Sequence, residues 1–176
     1  MNTIQDLLEK SIRNVADFPK PGIQFKDITT ALKDAEVLRR TSDHLYNQYK
    51  DRGITQVVGI ESRGFILGSI LAYKLGAGFV LLRKPGKLPA DTISVEYELE
   101  YGTDKIEIHK DSLLPNDIVL LHDDLLATGG SAEAAIKLIS QFNVKETHVN
   151  FLIELDFLNG RKRINGVKSI DSTIHF

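Results

Sequence analysis

Ile4, Leu7, Leu8, Ile12 and Val15 recur at the spacing of one helix face, and Thr3 and Asp6 stand where the two members of a capping box would. The pattern predicts an N-terminal amphipathic helix. FPKPG at 18–22 cannot continue it, because proline lacks a backbone donor and drives its predecessor to extended geometry. A stiff extended arm is expected there. Asp34 then precedes Val37, Leu38, Thr41, Leu45 and Tyr49, a second helical stripe that ends before Gly53. QVVGI at 56–60 is a short apolar run of the kind a buried strand carries. FILGSILAYKL at 65–75 has the length of a helix and stops at Gly76, and GFVLLR at 78–83 predicts the next strand.

Residues 84–104 break this rhythm. KPGKLPADT is followed by the alternating VEYELEYG, which predicts a hairpin arm outside the main sheet. Strand, loop, helix and strand then return as IVLLH at 118–122, the turn after it, SAEAAIKLISQF at 131–142 and HVNFLIEL at 148–155. Such alternation predicts an α/β fold with a largely parallel sheet and helices on both faces, where ligands sit at the carboxyl ends of the strands. The loop at 61–64 and the turn after residue 122 both fall at that end.

Composition narrows the function. The 176 residues predict a single domain spanning 1–176, with 42% hydrophobic and 26% charged residues, as in ordinary globular chains. A formal charge of −2 removes the electrostatic footprint of a surface nucleic-acid binder, so no nucleic-acid partner is expected. There is no cysteine, hence neither disulfide nor thiolate metal site, which suits the cytoplasm. No signal-like or membrane-length apolar run appears, so no membrane partner is expected.

The chemistry concentrates in VLLHDDLLATGGSA. Asp123 and Asp124 follow a strand; ionised carboxylates are pure acceptors, able to take both protons of a cis-diol or to meet a hard cation. Ala127, Thr128, Gly129, Gly130 and Ser131 supply close-approaching N–H groups, hydroxyls and a helix N-terminus, which together make an anion cradle. No lysine follows the glycines, so this is not a Walker loop but a seat for a single phosphate. Diol acceptors beside a phosphate cradle match the two ends of a ribose 5-phosphate. Glu61, Ser62, Arg63 and Gly64 form a tight turn after a buried strand. The turn aims N–H groups and the Arg63 guanidinium at an anion, and the nearby GxSxG pattern of a serine hydrolase is missed because Ile60 replaces its first glycine. Arg83, Lys84 and Lys87 cluster at the end of another strand.

Residues 119–131 resemble the 13-residue phosphoribosyl pyrophosphate (PRPP) motif of the type I phosphoribosyltransferases. His122 is the one departure, standing where an aliphatic residue is usual, and as a lone histidine at a strand end it is expected to be structural. FPKPGIQFKDIT at 18–29 and TISVEYELEYGTDKIEIHKDSL at 92–113 are similar to the two signature regions of the adenine-using branch of that family, and the resemblance covers nearly the whole chain.

That resemblance implies the type I fold with an N-terminal helix and base-binding arm at 1–33 and a flexible lid hairpin at 84–104. It also implies a homodimer and the reaction of adenine with PRPP giving AMP and pyrophosphate. Magnesium is implied as the cofactor, held mainly by substrate and water. By the same resemblance Asp123, Asp124 and 127–131 hold the ribose and its 5-phosphate. Glu61, Ser62, Arg63, Arg83, Lys84 and Lys87 hold pyrophosphate, partly across a dimer interface. The main chain of Gln24 and Lys26 reads adenine while Phe25 stacks on it. Gln24 and Lys26 stand where an aliphatic residue and an arginine are commoner. Glu100 and Arg63 are the catalytic candidates, with Glu100 handling the purine proton and Tyr101 capping the site. The alternatives are a phosphoribosyltransferase for hypoxanthine, guanine or xanthine, whose ring carbonyl calls for a donor side chain, and a non-catalytic PRPP-sensing regulator, expected to carry a DNA-binding extension.

Overall fold

The computed structural model describes residues 3–98 and 103–176. Two compact units divide the chain after Gln48.

The first unit opens with α1 (Ile4–Ser11), capped as its sequence dictates: Thr3 Oγ1 accepts from the Asp6 N–H at 3.1 Å, and Asp6 Oδ2 accepts from the Thr3 N–H at 3.0 Å. Helical spacing predicts turns through Val15, but the helix ends at Ser11. Residues Arg13–Ala16 form β1, an antiparallel partner of β2 (Gln24–Asp27). Ile12 is the C-cap of α1, while β-branched Val15 suits either pattern and strand pairing decides. The proline-containing link is also not an extended arm. Asp17 and Gly22 take positive φ of 58° and 87°, and Asp17 Oδ1 accepts from the Gly22 N–H at 2.7 Å, so the link turns back to begin β2. A short helix α2 (Thr29–Leu32) precedes α3 (Ala35–Tyr49), where Asp34 Oδ1 accepts from the N–H groups of Glu36 and Val37 as the N-cap signal requires.

The second unit runs β3 (Gln56–Ile60), α4 (Gly64–Leu75), β4 (Gly78–Leu82), β5 (Thr92–Glu98), β6 (Thr103–His109), β7 (Ile118–Leu126), α5 (Gly130–Ser140), β8 (Glu146–Glu154) and β9 (Ser169–His175). Five of these strands form one all-parallel sheet in the order β4-β3-β7-β8-β9. Period-two alternation sends Val58, Ile60, Val119 and Leu121 into a core shared with Ala135 and Leu138 of α5. Among the described residues, no helix is long and apolar enough to cross a membrane.

The expected hairpin is present as a separate two-stranded antiparallel ladder of β5 and β6. It runs on to His109, beyond the predicted end at 104. Its base is not dispensable to the core, because Ile106 and Ile108 of β6 are buried and pack in the cluster with α5. Burying such a side chain contributes about 1.5–3 kcal/mol. β9 has no clear periodic signal in the sequence: SIDSTIH alternates weakly, and only Thr173 and Ile174 are buried.

Candidate active site

α5 begins at Gly130 with Gly129 as its N-cap in the left-handed region, φ 84°, and without a side-chain cap bond. The N–H groups of its first turn are therefore orphan donors, the ordinary seat of a phosphate. All five predicted cradle residues, Ala127, Thr128, Gly129, Gly130 and Ser131, line one cavity of about 70 Å³ together with Asp123. The cradle has a floor that the sequence pattern misses. A Cβ on Gly129 would lie 2.5 Å from the Gly160 carbonyl oxygen, and a Cβ on Gly160 would lie 2.1 Å from the Ala127 carbonyl oxygen. Only two glycines allow these backbones to touch. The Asn159-Gly160 pair is a turn signal that could have marked this position.

Asp123 and Asp124 are not loop acids, because β7 continues to Leu126 and carries both within the strand. Asp124 is buried, with its Oδ2 2.6 Å from Arg63 Nε. Asp123 is half-buried, and its Oδ1 accepts the Asp124 N–H at 2.8 Å. Burial, then the neighbouring Asp124 carboxylate, push the Asp123 carboxyl well above the ordinary range. Burial also raises Asp124, against the pull of Arg63. Both acids thus gain from donors that favour their ionised form, which diol hydroxyls or a hard cation would supply. One or two carboxylates plus substrate phosphates is a usual donor set for magnesium, so this oxygen pair fits an ion carried mainly by substrate. His122 is fully buried in the strand, its Nδ1 2.8 Å from Asn150 Oδ1. It belongs to the packing, as its lone position suggested.

The second candidate anion site lies at the end of β3, the strand beside β7. Glu61, Ser62, Arg63, Arg83 and Lys84 line a single cavity of about 430 Å³. Lys87, predicted with them, is not among its lining residues. Gly64 lets this turn reach β7, since a Cβ there would meet the His122 carbonyl oxygen at 2.8 Å. Glu61 orients the cations: its Oε2 is 2.9 Å from Arg83 Nε, and its Oε1 accepts the Lys84 N–H at 2.7 Å. Arg83 also lies over the Phe65 ring at 5.6 Å. Lys84 Nζ reaches Asp104 of β6 at 3.0 Å, a contact absent from the sequence expectation.

In the first unit, Gln24, Phe25 and Lys26 fall in β2. Gln24 and Lys26, two residues apart, direct their main-chain groups to the same edge of the strand. Phe25 is half-buried and meets Phe18 edge-on at 5.1 Å between ring centroids. Glu100 and Tyr101 lie outside the described residues.

Comparison with known proteins agrees with this geometry. The model of the phosphoribosyl transferase domain matches residues 26–175. The adenine phosphoribosyltransferase of Bacteroides fragilis is 57% identical over 167 residues, covering 95% of this chain and 94% of the relative. Among solved structures, the adenine phosphoribosyltransferase of Rhodothermus marinus superposes with a TM-score of 0.92 at 50% identity, covering 98% of each chain. The Giardia lamblia APRTase complexed with 9-deazaadenine gives 0.92 at 42% identity, covering 100% of this chain and 99% of that one. A cradle for one phosphate, an adjacent cation-lined cavity and this degree of likeness along the whole chain lead to one assignment: the chain belongs to the type I phosphoribosyltransferase family and, within it, to the adenine phosphoribosyltransferases.

Proposed function

We propose that this chain transfers the phosphoribosyl group of PRPP to adenine, forming AMP and releasing pyrophosphate in purine salvage. The observation that carries the reading is the pair of anion sites at the carboxyl ends of neighbouring strands β7 and β3, joined by the Arg63–Asp124 contact. One PRPP has two phosphate-bearing ends on one ribose, and this arrangement suits both ends.

In this reading the cradle at 127–131 holds the 5-phosphate through α5 N–H groups, while Asp123 and Asp124 accept the ribose hydroxyls. Arg63, Arg83 and Lys84 stabilise the pyrophosphate as its charge grows, with Glu61 holding the Arg83 guanidinium in place. The bond from an adenine imidazole nitrogen to the anomeric carbon forms as the carbon–oxygen bond to pyrophosphate breaks. The proton on that nitrogen is given up, and Glu100 is the residue assigned to handle it. Bound magnesium would neutralise pyrophosphate charge, and Asp123 and Asp124 are the carboxylates that would help to hold it. Tyr101 excludes water from a centre with oxocarbenium character.

Adenine presents an amino donor beside a ring-nitrogen acceptor, which the main chain of Gln24 and Lys26 can read while Phe25 stacks on the ring. The 9-deazaadenine bound by the Giardia relative supports this choice of base. The family match running through residues 26–175 supports one catalytic domain over 1–176, and a cytoplasmic homodimer completes the proposal.

The test is incubation with PRPP, magnesium and each purine base in turn. AMP from adenine is expected, with hypoxanthine and guanine slower by on the order of 10⁴-fold, the discrimination a hydrogen-bonding site can reach. Comparable turnover of either oxopurine would overturn the base assignment.

A further inference from the structure

Three cations of the pyrophosphate cavity are already paired with carboxylates, and one of the three pairings differs in kind. Arg63 pairs with Asp124 and Arg83 with Glu61, both acids of the two anion sites themselves. Lys84 pairs with Asp104, which belongs to the hairpin strand β6 and to neither anion loop.

The Asp104 carboxylate is the fixed partner. Its Oδ1 accepts the Lys105 N–H at 2.8 Å, its Oδ2 lies 3.4 Å from the Tyr97 hydroxyl, and its side chain is 23% exposed. The end of β4 is tied to β6 by reciprocal main-chain bonds between Arg83 and Glu107, 2.9 and 2.7 Å long, which keeps Lys84 within reach of Asp104. Lys84 is the partner with freedom: its side chain is 59% exposed on a flexible four-carbon stem, while its own N–H stays anchored on Glu61. An exposed pair of this kind is weak, worth about 1.4- to fivefold in an equilibrium constant. A polyanion in the cavity outbids one carboxylate for the ammonium.

We propose that Asp104 is a positioning residue that competes with pyrophosphate for Lys84, holding the ammonium when the cavity lacks the anion and taking it back as the anion leaves. Its effect is to lower the affinity for pyrophosphate and so to ease product release. The link to turnover rests on the function proposed above; the competition itself rests on the contacts of Asp104.

Calorimetric titration of the full chain with inorganic pyrophosphate and magnesium at low salt tests it. Asp104→Asn keeps the size and removes the charge, and should tighten pyrophosphate about three- to fivefold, the upper part of the range of an exposed pair read as a dissociation constant. Asp104→Glu should restore wild-type affinity. In a Lys84→Gln background, Asp104→Asn should change affinity less than about 1.5-fold, because the competed group is gone. Weaker or unchanged binding in Asp104→Asn, an equal gain without Lys84, or no pyrophosphate binding by the wild type would each overturn the proposal. AMP formation by the wild type is scored separately. Its absence beside an intact Asp104 effect sinks the reaction and leaves the competition standing, whereas normal AMP formation with no Asp104 effect sinks the competition alone.

Discussion

At His122 an imidazole stands in the middle of a buried apolar strand, directly across from Asn150 on β8, and this sets a pH dependence on the fold. Burial pushes its pKa down to about 4, against the stabilising bond from Asn150, so the ring is neutral in the native state at neutral pH. In the unfolded chain the same ring takes a proton near its ordinary pKa of about 6.5. Between these values the unfolded state binds more protons, so this contribution is present above about pH 6.5 and is lost as pH falls toward 4. It is on the order of 3 kcal/mol. Replacing both partners, His122→Leu with Asn150→Leu, should flatten the fall in melting temperature over that window. Asn150→Leu alone should cost about 1–3 kcal/mol, because it strands a buried ring nitrogen. An unchanged acid slope in the double variant would count against this account. The DD pair was legible as chemistry because few other residue types could serve a diol. Its raised proton affinity was not, because the burial that raises it and the Arg63 contact that opposes it both come from distant parts of the chain.

At the level of elements, the proposed phosphate loop is shaped by a segment about thirty residues further on. The turn from β8 into the 3₁₀ segment Gly160–Arg163 brings the Gly160 backbone against Ala127 and Gly129. Both sides of that contact are backbone, so a side chain cannot be absorbed by a rotamer change. Gly160→Ala should destabilise the chain by about 1–3 kcal/mol, the usual cost of overpacking, and should weaken ribose 5-phosphate at least tenfold. Gly166→Ala is the control: its φ is positive, 72°, unlike that of Gly160, and nothing lies within 4 Å of the new Cβ. It should lower the melting temperature through strain and leave ribose 5-phosphate affinity unchanged. Calorimetry and thermal melts on the two variants separate loop shape from general strain. If Gly160→Ala binds ribose 5-phosphate normally, the floor of the cradle is not what shapes it.

For the molecule as a whole, the proposed reaction needs a group to handle the purine proton, and we propose Glu100 for that task. Glu100→Gln keeps the size and one acceptor oxygen but cannot exchange a proton. Single-turnover AMP formation should fall by roughly 10²-fold or more, with PRPP affinity and melting temperature nearly unchanged, as when an interaction made mainly in the transition state is removed. Loss of PRPP binding instead would make Glu100 a ligand, and wild-type rates would remove it from the chemistry.

The sequence alone determined the alternation of strand and helix, the parallel sheet, the glycine-rich turn that opens α5 and the place of Arg83 and Lys84 after β4. Each of these is written in local periodicity, in glycine and proline positions, or in a motif of contiguous residues. Tertiary structure decided what contiguous residues cannot. It turned Val15 from helix to strand through pairing with β2, and it carried β7 through both aspartates. It also made the hairpin base part of the core, set Gly160 under the phosphate loop and gave Lys84 a carboxylate on another strand. The reason is the same in every case. A strand's extent, a buried acid's charge and a loop's floor are fixed by partners far away in sequence, and only the folded chain says which partners those are.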